Sequence, residues 1–219
     1  MDTNCIIDAN IVDSTQLLYN YDKEMSNMSY VIMMKCSDGI VCGADSRSTL
    51  ILGNAYKNVG DVKKVFSNNN LIIGTFNTNQ VFFQTSPGKI KLVNLDTILP
   101  AIIQNSNTVD SFINEFIKAT CQAPISYNFY VGWKENGDYR IAELIINKND
   151  NSFKLVEDNS NILAISTLYT FSSPTISVDI TCEKAKKIIH KMIETTEYLQ
   201  SELLEYQNVA GDIVIETLK

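Results

Sequence analysis

A predicted β-hairpin near residue 30 constrains the fold of this chain more than any other sequence feature. Two apolar segments, Ser29–Lys35 and Ile40–Ala44, flank a short turn that contains Asp38-Gly39. An Asp-Gly pair between apolar runs is a strong hairpin signal. The second segment runs directly into Asp45–Arg47, which supplies an acid, a hydroxyl and a base. This strand end is therefore the first place to look for a functional site.

The remaining sequence alternates groups of strands with groups of helices. Further strands are predicted over Lys63–Phe66, Leu71–Phe76, Asn128–Lys134, Tyr139–Ile146, Phe153–Val156, Ile162–Ser166 and Asp212–Leu218. Helices are predicted over Leu95–Gln104, interrupted by Pro100, over Val109–Thr120 after an N-cap at Thr108, and from Cys182 to about Tyr206 after a cap at Thr181. Segregated runs of this kind favour an α+β fold with antiparallel sheets, and two sheets sandwiched between two helical layers would fit.

Length, charge and cysteine content limit the classes of protein to consider. The 219 residues suit one domain with its own core. A formal net charge of −7 argues against a general binder of nucleic acid or anionic membranes. Five scattered cysteines without a CxxC pair predict reduced thiols, with Cys36 and Cys42 as small core residues. The first residues lack the basic region of a secretory signal and no apolar run has the length of a membrane span, so a cytoplasmic location is expected.

Several common catalytic signatures are missing from the sequence. The single histidine, His190, lies in the middle of a predicted helix, where a surface or partly buried structural role is expected. No GxSxG, HExxH, Walker or dinucleotide-binding motif is present. The sequence therefore predicts neither a metal nor a cofactor, and an enzyme of this kind would need a nucleophile that works without histidine.

A chain-terminal Ser, Thr or Cys meets that requirement, because its own α-amine titrates near neutral pH and can act as the general base. Such a site also needs a cation beside the hydroxyl, a carboxylate that holds the cation, and a backbone N–H for the oxyanion. Asp45 and Arg47 at the strand end, with Lys63 and Lys64 opening the next hairpin, are candidates for the charged groups.

The segments Cys36–Gly39, Gly43–Arg47 and Val62–Val65 resemble the opening of proteasome β-type subunits and bacterial proteasome-like peptidases, members of the N-terminal-nucleophile hydrolase superfamily. The resemblance covers roughly residues 29–218 and is strongest over its first forty. It implies a four-layer αββα sandwich of two antiparallel sheets between helical layers. It also implies that residues 1–28 are an N-terminal extension or propeptide-like leader and that residues 29–219 form the proteasome-type domain.

The same resemblance assigns roles to five residues. Ser29 falls on the nucleophilic threonine of the family, Asp45 and Lys64 on the catalytic aspartate and lysine, and Thr78 on the oxyanion-hole glycine. Arg47 has a weaker claim, because an ion pair with Asp45 that only ties a strand to a hairpin would also explain it. The stretch between Asp45 and Lys64 is three residues longer than usual, and the extra residues are expected in a loop over Leu52–Lys57.

The sequence departs from the family pattern at several points. Met28 stands where a glycine usually precedes the nucleophile, and no aspartate or serine occurs over Tyr206–Val209, where the family places residues that support it. A further family serine could correspond to Ser166 or Thr167, but no glycine accompanies either. Residues Gln80–Asp96 contain Pro87-Gly88 where the family has a continuous helix.

Three hypotheses about function remain open at this point. The first is a peptidase that uses Ser29 after its amine is exposed and hydrolyses peptides or unfolded proteins. The second is a catalytically inactive structural subunit, since a chain that keeps residues 1–28 has an acylated nitrogen at Ser29. The third is an amide hydrolase of the same superfamily that acts on a small molecule. The first two imply a homo- or hetero-oligomeric ring or helical assembly, with an ATPase or regulator as a further partner.

Overall fold

The computed structural model describes residues 30–52, 55–86, 89–158, 161–165, 180–203 and 209–219. Their strands are β1 (Val31–Cys36), β2 (Gly39–Asp45), β3 (Arg47–Leu52), β4 (Ala55–Asp61), β5 (Val65–Ser67), β6 (Leu71–Phe76), β7 (Gln80–Ser86), β8 (Lys89–Asn94), β9 (Ser126–Glu135), β10 (Asp138–Asn147), β11 (Ser152–Glu157), β12 (Ile162–Ile165) and β13 (Ile213–Leu218). Their helices are α1 (Leu95–Gln104), α2 (Val109–Ala119) and α3 (Cys182–Leu203). Ser29, the proposed leader, Ser166, Thr167 and Tyr206 lie outside the described residues.

The strands form two main sheets and two separate hairpins. One sheet has the order β12-β1-β2-β13 and the other the order β11-β10-β9-β6-β5, while β3 pairs with β4 and β7 pairs with β8. Every pairing is antiparallel. The predicted opening hairpin is confirmed, with Val31 opposite Ala44 and Cys36 opposite Gly39. The described fold is therefore a mixed α and β structure with antiparallel sheets.

Three clusters of buried side chains connect these elements. The first joins α1 and α2 to the five-stranded sheet, and Phe116 packs edge-on against Tyr127 and Phe129 with ring centroids 5.2 Å away. The second joins α3 to the four-stranded sheet through residues such as Ile32 and Ile189. The third lies between the two sheets. Alternate residues of one strand point to opposite faces, so β1 contributes to the second and third clusters at once and is buried on both sides.

Gly74 of β6 shows how closely the two sheets approach each other. A Cβ atom at this position would lie 2.8 Å from Cγ1 of Val31 and 2.9 Å from Sγ of Cys42, both on the four-stranded sheet. Real Cβ contacts are not that short, so only glycine fits here without a shift of these two side chains. The absent side chain lets the strands that carry the candidate site pack directly against β6.

Two expectations about local structure need correction, and a segment without a predicted structure is now defined. Pro100 does not interrupt α1, because burial of the flanking Leu99, Ile102 and Ile103 outweighs the one helical hydrogen bond that proline removes. Part of the segment Leu52–Lys57 is not a loop but belongs to the ends of β3 and β4. Residues of the segment Gln80–Asp96 form the hairpin β7–β8, which ends beside the start of α1.

Thr108 caps α2 as predicted. Its hydroxyl accepts a bond from the Ser111 N–H at 3.1 Å, and the Ser111 hydroxyl accepts one from the Thr108 N–H at 2.9 Å. Replacing Thr108 by alanine should lower the free energy of unfolding by about 1 kcal/mol. The Ser111 N–H would lose its acceptor, and the Ser111 hydroxyl that accepts from the residue 108 N–H would be held less firmly. Urea unfolding measures the change. Thr97→Ala on α1 is the control and should stay within about 0.5 kcal/mol; equal losses would show that the cap contributes nothing.

Among the helices that the structure describes, none combines the length and the apolar character needed to cross a membrane.

Candidate active site at the end of strand β2

A buried ion pair occupies the strand end that the sequence singled out. Asp45 is the last residue of β2, and Lys64 directly precedes β5 of the other sheet. The Lys64 Nζ donates to Asp45 Oδ1 at 3.0 Å and to the Arg47 carbonyl at 2.6 Å. Neither side chain of the pair is exposed to solvent. The site therefore lies where the two sheets meet, in surroundings of low polarity that strengthen electrostatic interactions.

The same carboxylate holds the first described residue of the chain. The Tyr30 N–H donates to Asp45 Oδ1 at 2.9 Å, and the Tyr30 carbonyl accepts a bond from the Asp45 N–H at 3.3 Å. Tyr30 is buried, with its side chain in the cluster that contains α3. Asp45 thus fixes both the ammonium of Lys64 and the backbone at residue 30.

Two atoms of the pair have hydrogen-bonding capacity that the described residues leave unused. An ammonium has three donors, and only two of those on Lys64 are accounted for by Asp45 and Arg47. Asp45 Oδ2 is buried and, among the described residues, has no partner at hydrogen-bonding geometry. The Ala210 N–H still lies near enough to favour the ionised carboxylate. The arrangement can accept one more polar group beside the ammonium.

Burial shifts both members of the pair toward their neutral forms. It raises the pKa of Asp45, against the opposing effects of Lys64 and of the Tyr30 N–H. It lowers the pKa of Lys64, against the opposing effects of Asp45 and Asp61, and the Arg47 charge lowers it further. Removal from water disfavours the charged form of either group. The attraction between Asp45 and Lys64 opposes this effect on the pKa of both groups and favours the charged pair.

The turn before β13 braces the segment that follows Asp45. The Arg47 N–H donates to the Ala210 carbonyl at 3.1 Å, and the Ser46 hydroxyl accepts a bond from the Asp212 N–H at 2.8 Å. Gly211, between Ala210 and Asp212, has a φ of 83°. These bonds hold the Arg47 carbonyl in place as an acceptor for Lys64.

Gly211→Ala should destabilise the protein by more than a glycine replacement elsewhere with the same backbone conformation. A Cβ atom would collide with the Ser46 Oγ and lie 2.7 Å from Asp61 Oδ1, in addition to the strain of a positive φ. Gly137 has a φ of 91°, and a Cβ atom added there would have no atom within 4 Å, so Gly137→Ala isolates the strain. We expect a loss of about 1–2 kcal/mol for Gly137→Ala and about 1–3 kcal/mol more for Gly211→Ala. Chemical denaturation measures both; equal losses would contradict the close packing of Gly211.

The structure brings Asp45, Arg47 and Lys64 together, and Arg47 takes part through its backbone carbonyl. Lys63, the other candidate lysine, lies in a different environment. It pairs with Glu216 at 2.9 Å, and its side chain is 46 % exposed. The two adjacent lysines therefore differ: one is buried in the site and the other forms a surface ion pair.

Thr78 lies in a tight turn after β6, and its N–H is already engaged. It donates to the Phe76 carbonyl at 3.1 Å, across Asn77 with a φ of 72°. The neighbouring Asn79 donates from Nδ2 to the Ser48 hydroxyl at 3.3 Å, which links this turn to β3. The turn is thus tied to the strand that follows the ion pair, but the Thr78 amide would have to share or exchange its partner to bind an oxyanion.

His190 is a surface residue, as predicted, with its side chain 52 % exposed and Nδ1 3.5 Å from Glu194. Within the described ranges, no group of three or more His, Cys, Asp and Glu side chains is placed to hold a metal ion.

Sequence reasoning missed two contributors to the site. One is the backbone of Tyr30, and the other is the turn Ala210–Asp212 that supports Ser46 and Arg47. Both act mainly through backbone groups: every residue carries a C=O, and every residue except proline carries an N–H. For the turn, the available sequence signal was Gly211, directly before the predicted final strand.

No protein-family model matches the chain, and no curated protein matches it. Solved structures with the same fold include the Anbu (Gly-1) mutant from Hyphomicrobium sp. strain MC1, with a TM-score of 0.52 and 15 % identity over 87 % of this chain and 82 % of that one. They also include Anbu (ancestral beta-subunit) from Yersinia bercovieri, with a TM-score of 0.50 and 14 % identity over 86 % of this chain and 80 % of that one. At these identities the similarity establishes the fold, which these Anbu proteins and this chain share.

Proposed function

We propose that the chain is a proteasome-like subunit and an N-terminal-nucleophile peptidase in which Ser29 hydrolyses peptide bonds once its amine is exposed. The observation that carries the proposal is the Asp45–Lys64 pair, buried and held at 3.0 Å, with one ammonium donor that none of the described residues uses. Ser29 is covalently bonded to the Tyr30 nitrogen, which itself lies 2.9 Å from Asp45. This bond supports the proposal that the Ser29 hydroxyl and amine act beside the pair.

Each group of the proposed site has a definite task. The Ser29 hydroxyl attacks the scissile carbonyl while the Ser29 amine accepts its proton, which the amine later passes to the leaving amine. The Lys64 ammonium lowers the hydroxyl pKa and stabilises the alkoxide, and Asp45 keeps Lys64 oriented. Water then hydrolyses the acyl-enzyme. The Thr78 N–H is the proposed oxyanion donor, provided that it shares or gives up its bond to Phe76.

The architecture and the assembly belong to the same proposal. The three core clusters support a four-layer αββα sandwich, with α3 outside the four-stranded sheet and the other two helices outside the five-stranded sheet. Residues 1–28 would be the leader and residues 29–219 the catalytic domain. One solved structure with this fold is named a beta-subunit, which supports a ring or helical assembly of such chains. Unfolded polypeptides as substrates, an ATPase or regulator as partner and a cytoplasmic location are further parts of this proposal.

A specific observation favours the second candidate, a catalytically inactive structural subunit. Thr78 replaces the glycine expected at the oxyanion site, and its N–H is bonded to the Phe76 carbonyl. A site whose oxyanion donor stays occupied would stabilise the tetrahedral intermediate poorly, and loss of one such donor costs about 10²–10³-fold in turnover.

Mass analysis of the mature protein and a hydrolysis assay test the proposal together. We expect a chain that begins at Ser29 and cleaves fluorogenic peptides. A chain that keeps residues before Ser29 and shows no turnover would support the structural subunit. Turnover of small amides without turnover of peptides would support the third hypothesis, a small-molecule amide hydrolase.

A further inference from the structure

The end of β1 and the start of α3 each carry a buried cysteine, Cys36 and Cys182, and the proposed hydrolysis uses neither thiol. None of the four cysteines in the described ranges, Cys36, Cys42, Cys121 and Cys182, is in a disulfide. Cys36 ends β1 and Cys182 begins α3, so more than half of the chain separates them. Both side chains nevertheless belong to the same buried cluster, and the Cys36 thiol donates to the Met34 carbonyl at 3.7 Å.

The backbone around the two thiols is fixed by direct bonds between the β1–β2 turn and the start of α3. The Ser37 N–H donates to the Ile180 carbonyl at 2.9 Å, and the Cys182 N–H donates to Asp38 Oδ1 at 2.7 Å. Gly39, the strand partner of Cys36, lies so close that a Cβ atom on it would be 2.8 Å from the Cys182 sulfur. The turn that follows Cys36 is therefore bonded directly to the start of α3, where Cys182 lies.

We propose that Cys36 and Cys182 form a disulfide when the protein meets a thiol oxidant such as glutathione disulfide. The thiolate of one cysteine attacks glutathione disulfide, which gives a mixed disulfide and releases one glutathione. The second cysteine then attacks the mixed disulfide and releases the second glutathione. Two electrons pass to glutathione disulfide, and the two protons leave on the two glutathione thiols. The product joins the β1–β2 turn to the first turn of α3.

The surroundings of the pair determine how fast this reaction runs. Burial raises the pKa of Cys36, and burial together with Asp38 raises the pKa of Cys182 to about 12. Few thiolates therefore exist near neutral pH, and the thiolate is the form that reacts. The disulfide should form over hours rather than seconds, and once formed it should resist reduction because its sulfurs are buried.

The experiment incubates the native full-length protein with glutathione disulfide, blocks residual thiols with N-ethylmaleimide under denaturing conditions and maps peptides by mass spectrometry. We expect a peptide linked through Cys36 and Cys182 and a Tm raised by about 5 °C or more over the reduced protein. Cys121→Ala removes a buried thiol elsewhere and should leave the link and the Tm increase intact. Cys36→Ala and Cys182→Ala should each abolish both.

Three results would overturn the proposal. They are glutathione adducts without the internal link, a link between another pair of cysteines, and a Cys36–Cys182 link that leaves the Tm unchanged or lower, since such a link would require distortion of the native fold. The outcome does not depend on whether the chain hydrolyses peptides.

Discussion

Lys64→Met should lower the free energy of unfolding by about 3–5 kcal/mol, the cost of leaving one member of a buried ion pair without its partner. Methionine fills a similar volume, so the loss should arise from the uncompensated Asp45 carboxylate rather than from a cavity. The Arg47 carbonyl also loses the donor that now lies 2.6 Å away. Urea unfolding at neutral pH measures the change.

Lys63→Met is the matched control for this prediction. Lys63 is the adjacent residue and also forms an ion pair, but its side chain is 46 % exposed. An exposed pair contributes about 0–1 kcal/mol, so the control should stay within that range. The double variant Asp45→Asn/Lys64→Met should recover at least half of the loss, because it removes both buried charges. If Lys64→Met cost no more than Lys63→Met, the buried pair would contribute nothing to the fold.

The stability lost in Lys64→Met should depend on pH with a definite sign. Burial already raises the pKa of Asp45, and removing Lys64 removes the main opposing effect. The folded variant then retains a proton on Asp45 at pH values where the unfolded chain has lost it. Stability therefore falls as pH rises through that interval. Unfolding measured at pH 5 and pH 8 should show a smaller deficit at pH 5; a larger deficit at pH 5 would contradict burial of an ionised Asp45.

Ser29→Ala should reduce peptide hydrolysis by on the order of 10³-fold or more, since it removes the attacking oxygen itself. Ser29→Thr should retain activity, because threonine offers a hydroxyl and an amine in the same positions. Steady-state kinetics on a fluorogenic peptide measure the effect, and unfolding curves of both variants check that the fold is unchanged. This loss is the largest expected for any single substitution in the chain.

Two further variants separate the nucleophile from its electrostatic support. The Asp45→Asn/Lys64→Met double variant should be folded yet nearly inactive, because nothing then stabilises the alkoxide of Ser29. Lys63→Met should keep full activity, because Lys63 forms an ion pair with Glu216 at the surface and not with Asp45 in the buried site. Activity that survives Ser29→Ala would place the nucleophile elsewhere and leave only the shared fold.

Much of the fold could be predicted because local signals agree with the packing. The Asp38-Gly39 turn, the Thr108 cap and the start of the third helix at Cys182 all match the structure. Pro100 was misjudged because burial on both sides of it exceeds the cost of one lost hydrogen bond. The hairpin β7–β8 was missed although Pro87-Gly88, between two apolar runs, is a turn signal.

The candidate site was predictable only where side chains carry the chemistry. Asp45 and Lys64 could be named from their residue types and from the resemblance, and the structure places them 3.0 Å apart. The bonds from the Tyr30 N–H and to the Arg47 carbonyl could not be predicted, since backbone groups have no sequence signature. The occupied N–H of Thr78 depends on the conformation of Asn77, which sequence alone does not specify.

The requirement for a free amine at Ser29 is tested most directly by comparing two forms of the same chain. One begins at Ser29 after cleavage by a specific protease, and the other is the identical polypeptide acetylated at that amine. We expect the free form to hydrolyse a fluorogenic peptide and the acetylated form to be inactive, because an amide cannot accept the hydroxyl proton. Equal rates for the two forms, or no turnover by a correctly folded free form, would contradict catalysis by an N-terminal serine.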